Sequence, residues 1–351
     1  MNLGFPLIDT ILREFALDAG SPKTTKDTDV SPCEFIVIDV LTCTPLLVTL
    51  RIRYGRRLMK LTNVHNLPDS FVRFIRNEKY SRGDSDISVT SLIDSPRIEK
   101  LRAMHSDQLT MDVSERIPSL FGTAVHMVLQ EIEDPRYEVE ERLFASMHGW
   151  KFSGAIDVQE YMPDGTITIM DYKVCSTWAV MNDKPEWEKQ LNCYAYLVRK
   201  NKERAVSKLQ IVAILRDWNR RKAMTEKDYP KSQVVMVDVP LWEFEQQEAY
   251  LETRILMHKD SQVRLDFIDS IIACTNEERW AKPTRWAVMK KNRKTAVKLF
   301  DDPREAQIFI DSQKTANADF YIEERKGGYT RCEGNFCGVA EFCDQYKGDN
   351  R

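Results

Sequence analysis

Asp157, Asp171 and Lys173 are the residues whose types and spacing point most directly to chemistry. Asp171 and Lys173 follow Thr166-Ile167-Thr168-Ile169-Met170, a β-branched run that predicts a strand. Residues two apart on a strand share a face. Gly154-Ala155-Ile156-Asp157 ends an upstream strand, and Pro163-Asp164-Gly165 supplies the turn between the two. A hairpin folded across that turn carries Asp157 towards Asp171 and Lys173. Two carboxylates together bind a hard divalent cation such as Mg²⁺ or Mn²⁺. An ammonium beside them holds or polarises a water. That set suits metal-assisted hydrolysis of a phosphodiester. Taken alone, Asp-Tyr-Lys reads equally well as a surface ion pair at a strand end.

The flanking elements must position these groups. A helix is predicted over 119–133, with apolar Leu120, Ala124, Val125, Val128, Leu129 and Ile132, and it carries Gly122 and His126. Tyr137 to Met147 predicts a strand bearing Glu138, Glu140 and Glu141, one of which could join the site; the sequence does not choose among them. His148, before Gly149, reads as a loop residue. Trp187 to Lys200 predicts a helix on which Gln190 and Tyr194, at i and i+4, share a face. Leu209–Leu215 and Val234–Val239 predict strands, and Pro240 opens a helix to about His258. Further upstream, Thr90 or Ser91 caps a short helix and Pro96 starts the next, which Arg97, Lys100 and Arg102 decorate. Helix, three strands, helix, strand is α/β ordering.

In chain order these residues spell GxxxH, GxxD, DxK and QxxxY. The series resembles the RecB-like branch of the PD-(D/E)XK nuclease superfamily over roughly residues 88–217, with a weaker likeness to the C-terminus. That branch includes the nuclease domains of the RecBCD and AddAB recombination helicases and a CRISPR-associated exonuclease. The resemblance implies a PD-(D/E)XK core, a central mixed sheet flanked by helices. It implies a metal held by His126, Asp157, Asp171 and the carbonyl of Tyr172, with Lys173 placing the water. Gln190 and Tyr194 would orient the DNA strand. The implied activity is exonuclease action on single-stranded DNA or DNA ends. No GxxxxGK[ST] motif is present, so unwinding would fall to a helicase or recombination partner. The compact single-chain format is similar to phage- or virus-encoded members of the group. From the residues alone, His126 also fits a hydrogen-bonded core histidine. The Tyr172 side chain, alternating with its neighbours, is expected in the core.

The cysteines divide into two sets. Cys175 and Cys193 read as small buried residues. Cys332, Cys337 and Cys343, spaced by four and five residues, join Cys274 as candidate ligands for one metal centre. Thiolates suit zinc or an iron–sulfur cluster. The resemblance favours a [4Fe–4S] cluster, which AddB and CRISPR-associated members clamp with one upstream and three C-terminal cysteines. Their upstream cysteine precedes the nuclease core, whereas Cys274 follows it, so zinc remains a competitor. Cys33 and Cys43 do precede the core. The tail from Thr330 to Arg351 has little apolar content and needs such a staple. Arg285 to Lys298 predicts a basic hairpin turning at Lys291-Asn292, which either contacts phosphates, with Trp280 and Trp286 stacking on bases, or is simply solvated.

With 351 residues, 42% of them hydrophobic, the chain can bury one large core or two modest ones. A net charge of −3 argues against wholesale coating of DNA but permits a local basic channel. No apolar run suits a bilayer span and no secretory pattern opens the chain. With eight cysteines, this favours a reducing cytoplasmic setting and metal ligation over disulfides. The expected organisation is an N-terminal appendage over 1–58, a nuclease core over 59–264 and a C-terminal region over 265–351. The appendage is set apart by the polar stretch 21–31 and the basic run 51–58, after which Met59 reads like a start. Two further functions stay open: a catalytically silent DNA-binding module, and a metal-organised module that binds a protein through its cysteine tail.

Overall fold

The computed structural model describes residues 51–54, 57–77, 82–263, 271–313 and 319–349. Most of the expected appendage, with Cys33 and Cys43, lies outside the described residues. Strand Arg57–Thr62 runs across the expected boundary at 58/59. It pairs antiparallel with Arg51–Tyr54 and parallel with Thr110–Asp112.

A six-stranded mixed sheet forms the centre. Strand Trp150–Tyr161 is its pivot. Tyr137–Met147 pairs antiparallel along one of its edges, turning at His148-Gly149, where both residues have positive φ, 51° and 73°. Two residues of that kind make the tight turn whose twist suits a hairpin. The opposite edge is shared between two partners. Ile87–Ser88 pairs parallel at Phe152 and Ser153, while Ile167–Cys175 pairs antiparallel from Val158 to Tyr161. Between those pairings, Gly154 to Asp157 have no ladder partner on that edge among the described residues. The sheet continues through parallel Val206–Leu215 to antiparallel Val234–Val239.

A parallel step needs a crossover, and helix Pro185–Lys202 supplies it. Pro185 sits in the first turn, where its missing N–H has no intrahelical role. Every residue from Gln190 to Val198 is buried, which marks a helix covered on all sides. Leu191 and Leu197 join Phe152, Ile156, Ile169, Leu209 and Ile211 of the sheet and Leu251 and Ile255 of helix Phe244–Val263 in one core. That last helix starts four residues after Pro240; the residues from Pro240 to Glu243 are not helical.

The structure corrects several local expectations. Ser88, not Thr90 or Ser91, caps helix Val89–Leu92 by accepting the Ser91 N–H at 3.3 Å. Arg97 and Lys100 do not decorate the surface of helix Pro96–Met104; both are buried. The helix carrying His126 spans Ile117–Leu129, and none of its residues is fully buried, with Val128 71% exposed. Cys193 is buried as expected, whereas Cys175 is half-buried.

The C-terminal region packs onto the core rather than standing beside it. Cys337, Val339, Ala340 and Cys343 share a hydrophobic cluster with Ile98, Leu101 and Leu109, so the tail brings more apolar contact than its composition suggested. A short ladder of Ala281–Lys282 with Gly328–Tyr329 brings the Cys274 and Cys332 segments together. It closes the neck of a small module in which Arg285–Lys290 pairs with both Lys298–Phe300 and Phe320–Arg325, beneath helix Pro303–Ser312. The basic hairpin therefore exists, but a loop over 291–297 replaces the tight turn expected at Lys291-Asn292.

Asp112 sets the entry to the His126 helix. Its carboxylate accepts from the Val64 N–H at 2.8 Å, the Ser114 N–H at 3.0 Å, and the hydroxyls of Thr62 and Ser114 at 2.9 and 2.7 Å. Glu115 completes a capping box by accepting the Asp112 N–H. Asp112→Ala should lower stability by about 1–3 kcal/mol, read as an earlier urea midpoint. Hydrogen exchange should quicken first in the helix that follows; an unchanged midpoint would show that Asp112 does not hold this junction.

Candidate active site

Pairing between the Asp157 and Asp171 strands stops at Val158 and Met170, one position short of the two aspartates. The strands part there. The Asp157 carboxylate takes over the missing ladder bond, its Oδ2 accepting the Tyr172 N–H at 2.8 Å. The Asp171 strand meanwhile stays paired to its parallel neighbour through Cys175. Asp157 and Asp171 thus lie at a fork in the sheet, 8% and 1% exposed.

Asp171 and Lys173 share a face as the spacing predicts, with Lys173 Nζ 2.6 Å from Asp171 Oδ2. Burial opposes the lysine charge, but Asp171 and Asp157 outweigh it and leave its pKa raised. The other oxygen of Asp171 accepts from Gln190 Nε2 at 3.3 Å, and the same amide donates to Tyr194 Oη at 2.7 Å. Tyr194 is 3% exposed, and burial pushes its phenol well above the usual range. Its reach in this structure is to Gln190 and to Gly154. A Cβ added at Gly154 would stand 2.6 Å from ring carbon Cε1 of Tyr194. The glycine of GxxD and the tyrosine of QxxxY are therefore two sides of one contact. At Gly122, by contrast, a Cβ would meet nothing within 4 Å.

His126 approaches from the helix lying against the Asp171 strand. Its Nδ1 is 2.8 Å from Glu140 Oε1 and 3.7 Å from Asp157 Oδ1. The bond to Glu140 raises the histidine pKa against the effect of burial, and Asp157 adds to the rise. His126, Glu140 and Asp157 each offer a ligand atom, all within 4.8 Å of one another. Glu140 is thus the glutamate of its strand that joins the group. Glu138 and Glu141 instead pair with Lys202. Counting back from the His148-Gly149 turn puts Glu140 opposite Asp157, which is the signal that could have selected it. Glu140 has φ +53°, and the ladder skips that one pair. A left-handed glutamate inside a strand is strained, and such strain gathers at functional sites.

Tyr172 differs from expectation. Its side chain is half-buried rather than in the core, and its ring meets His126 edge-on at 6.2 Å between centroids. Burial, and then the charge of Asp171, push the Asp157 carboxyl up to about 7. The fork therefore holds carboxylates that repel one another and favours a cation.

Cys274, Cys332, Cys337 and Cys343 all line one small cavity, together with Arg97 and Arg331. Arg97 donates Nε–H to Cys343 Sγ at 3.5 Å and pairs with Asp344. Burial raises the Cys274 thiol to about 11 and the Cys337 thiol above its ordinary value. Among the described residues, the cysteine sulfurs form no group of three within 4.8 Å of one another.

Residues 105–344 match the sequence model of the PD-(D/E)XK nuclease superfamily, a span that takes in all four motifs and these four cysteines. No curated protein matches the chain. Among solved structures, the protein SSO0001 is 15% identical with a TM-score of 0.36, over 54% of this chain and 82% of its own. A candidate exonuclease from Eubacterium rectale is 14% identical with a TM-score of 0.27, over 44% of this chain and 54% of its own.

The raised Asp157 pKa has a measurable sign. A carboxyl near 7 when folded and near 3.8 when unfolded binds more protons in the folded state. Its contribution is full below the unfolded value and is lost as pH rises through about 7. Without metal, Asp157→Asn should therefore melt a few degrees above wild type at pH 8, the scale of about 1 kcal/mol in a domain this size, and alongside it near pH 4. Mn²⁺ should raise the wild-type Tm by binding the folded state and leave the variant unmoved. Equal melting at pH 8, or an equal Mn²⁺ shift, would remove Asp157 from the ligand set.

Proposed function

The chain belongs to the PD-(D/E)XK nuclease superfamily, and from that premise we propose that it is a Mg²⁺- or Mn²⁺-dependent deoxyribonuclease of the RecB-like exonuclease branch, acting on single strands or DNA ends. The observation that carries the reading is the fork, where Asp157, Asp171, Glu140, His126 and Lys173 converge. His126, Glu140 and Asp157 would hold the ion, joined by Asp171 and the Tyr172 carbonyl. A divalent cation held there would lower the pKa of a bound water and offset charge on the scissile phosphate. Lys173, anchored on Asp171, places the water and stabilises charge developing on the phosphate oxygens. Gln190 holds the second oxygen of Asp171, and Tyr194 holds Gln190. Unwinding of a duplex falls to a helicase or recombination partner. Among the described residues no helix is long and apolar enough to cross a membrane.

The same reading, following the resemblance, assigns Cys274, Cys332, Cys337 and Cys343 to a [4Fe–4S] cluster, with zinc as the alternative. The cavity these cysteines line has about 10 Å³, the room of about one water, and their thiolates would hold the metal centre there. Arg97, buried against Cys343, places its guanidinium beside that sulfur.

Asp171→Ala and Lys173→Ala should each cut Mn²⁺-dependent cleavage of end-labelled DNA by on the order of 10²-fold or more, with the melting curve still cooperative. Cleavage at the wild-type rate by either variant would end the assignment. Protein purified without oxygen should be brown and carry iron and sulfide. Colourless protein with stoichiometric zinc would give the cysteines to zinc.

A further inference from the structure

Trp280 and Phe336 are two large aromatics left on the surface, 45% and 63% exposed, with ring centroids 5.5 Å apart. Local sequence holds both there. Trp280 has φ +53°, an outlying conformation for a bulky residue, and Asn335, before Phe336, has φ +57°. Backbone bonds pin Trp280: its N–H donates to Glu277 O at 3.0 Å, and its carbonyl accepts from the Thr330 N–H at 3.3 Å. The Arg331 guanidinium lies 5.6 Å from the Trp280 ring centroid. Gly334 leaves room for the Phe336 ring, since a Cβ there would come within 2.5 Å of it. The outlying backbone at Trp280, with two aromatic rings left in water beside each other, points to a ligand with a flat face.

Beside the rings runs an open groove of about 380 Å³, lined by Lys282, Lys326, Gly327, Gly328, Thr330, Glu333 and Gly334. Lys282 and Lys326 are exposed, and neither has an ion pair among the described residues. Glu333, the acid in the groove, is engaged by the Tyr329 N–H at 2.8 Å. At Gly327 a Cβ would stand 2.2 Å from the Lys282 carbonyl, so the two lysine-bearing segments approach as closely as backbone allows. Thr330 and Gly334 belong to the groove and also touch Trp280 and Phe336, so the cations and the rings form one surface. That surface adjoins the candidate catalytic helix: Lys189, next to Gln190, pairs with Glu277, whose carbonyl holds Trp280.

We propose that Trp280 and Phe336, with Lys282 and Lys326, form a binding platform for single-stranded DNA, bases on the rings and phosphates in the groove. The proposal rests on the nuclease reading. Every base offers a π-face, so such a platform tolerates any sequence, and lysines follow the backbone charge. A protein partner is the other occupant this surface could take, but paired cations beside stacked aromatics match a polyanion with flat bases more closely.

The test is fluorescence anisotropy of a fluorescein-labelled oligothymidylate with the full-length protein in EDTA, which blocks cleavage. Phe336→Ala should weaken binding about tenfold. Lys282→Glu with Lys326→Glu, both at exposed positions, should weaken it further and flatten the salt dependence by about 0.7 for each phosphate no longer neutralised. An oligomer with abasic sites in place of bases should erase the difference between wild type and Phe336→Ala. Both variants should hydrolyse a small phosphodiester, such as a nitrophenyl ester of thymidylate, at the wild-type rate. Unchanged affinity and salt slope in the lysine variant, whose fold these surface changes leave intact, would overturn the platform. Wild-type protein that binds the oligomer but cleaves no DNA with Mn²⁺ would instead sink the nuclease reading and spare the platform.

Discussion

Four residues of one strand edge, Gly154 to Asp157, sit between the pairings of two separate partners among the described residues, and the site is built from how that gap is filled. A buried ladder position without a partner leaves backbone polar groups in need of one. Asp157 answers with its side chain, taking the Tyr172 N–H that a continued ladder would have used. Gly154 answers by having no side chain, so that the Tyr194 ring can lie against the backbone. Because the strands part at this point, Asp171 and Lys173 emerge at a fork, and Gln190 reaches Asp171 from the helix that covers the sheet. Had pairing run on from Val158 and Met170, Asp157 and Asp171 would have faced each other as an ordinary cross-strand pair of like charges, which is destabilising.

The electrostatics follow from that geometry. Asp157 and Asp171 are buried and Glu140 stands exposed beside them, with Lys173 and His126 against the group. Lys173 is committed to Asp171. His126 leans on Glu140 and stands further from Asp157. Burial, and then the charge of Asp171, push the Asp157 carboxyl up to about 7 although it accepts a backbone N–H. A divalent cation at the fork would relieve this and hold Asp157 ionised at neutral pH. A site of this kind sacrifices stability in the empty protein for charge density when loaded, a trade common at functional sites.

Much of this was legible in the sequence because its signals are local. Strands Tyr137–Met147 and Val234–Val239 fall at the expected bounds, and helix Pro185–Lys202 covers the span expected from Trp187 to Lys200. What escaped depends on contacts between distant segments or on backbone rarely adopted. Glu140 could not be told from Glu138 and Glu141 without the register that the His148-Gly149 turn imposes and the left-handed kink at Glu140 itself. Arg97 read as a surface charge because its partners, Cys343 and Asp344, lie far along the chain. The apolar residues of the His126 helix suggested a buried stripe, but helical periodicity states which residues share a face and not whether anything covers them.

The cysteine region is more than an appended staple. Arg97 comes from the helix just ahead of the nuclease motifs and is buried against Cys343. Arg254, on helix Phe244–Val263, bonds the Leu92 carbonyl at 3.0 Å and Glu278 at 3.2 Å, tying the Cys274 segment to the core. Arg331, beside Cys332, donates to the Glu278 carbonyl at 3.1 Å and pairs with Asp94 at 2.9 Å. Three buried or half-buried arginines thus clamp the segments bearing Cys274, Cys332 and Cys343 to the residues around Asp94. Removing one partner from such a network leaves a buried charge uncompensated, so its members stand or fall together. The Lys189–Glu277 pair extends the clamp to the helix that holds Asp171 through Gln190. A metal centre that orders the cysteine segments would therefore also steady the wall of the fork, with no contact between the two metals required.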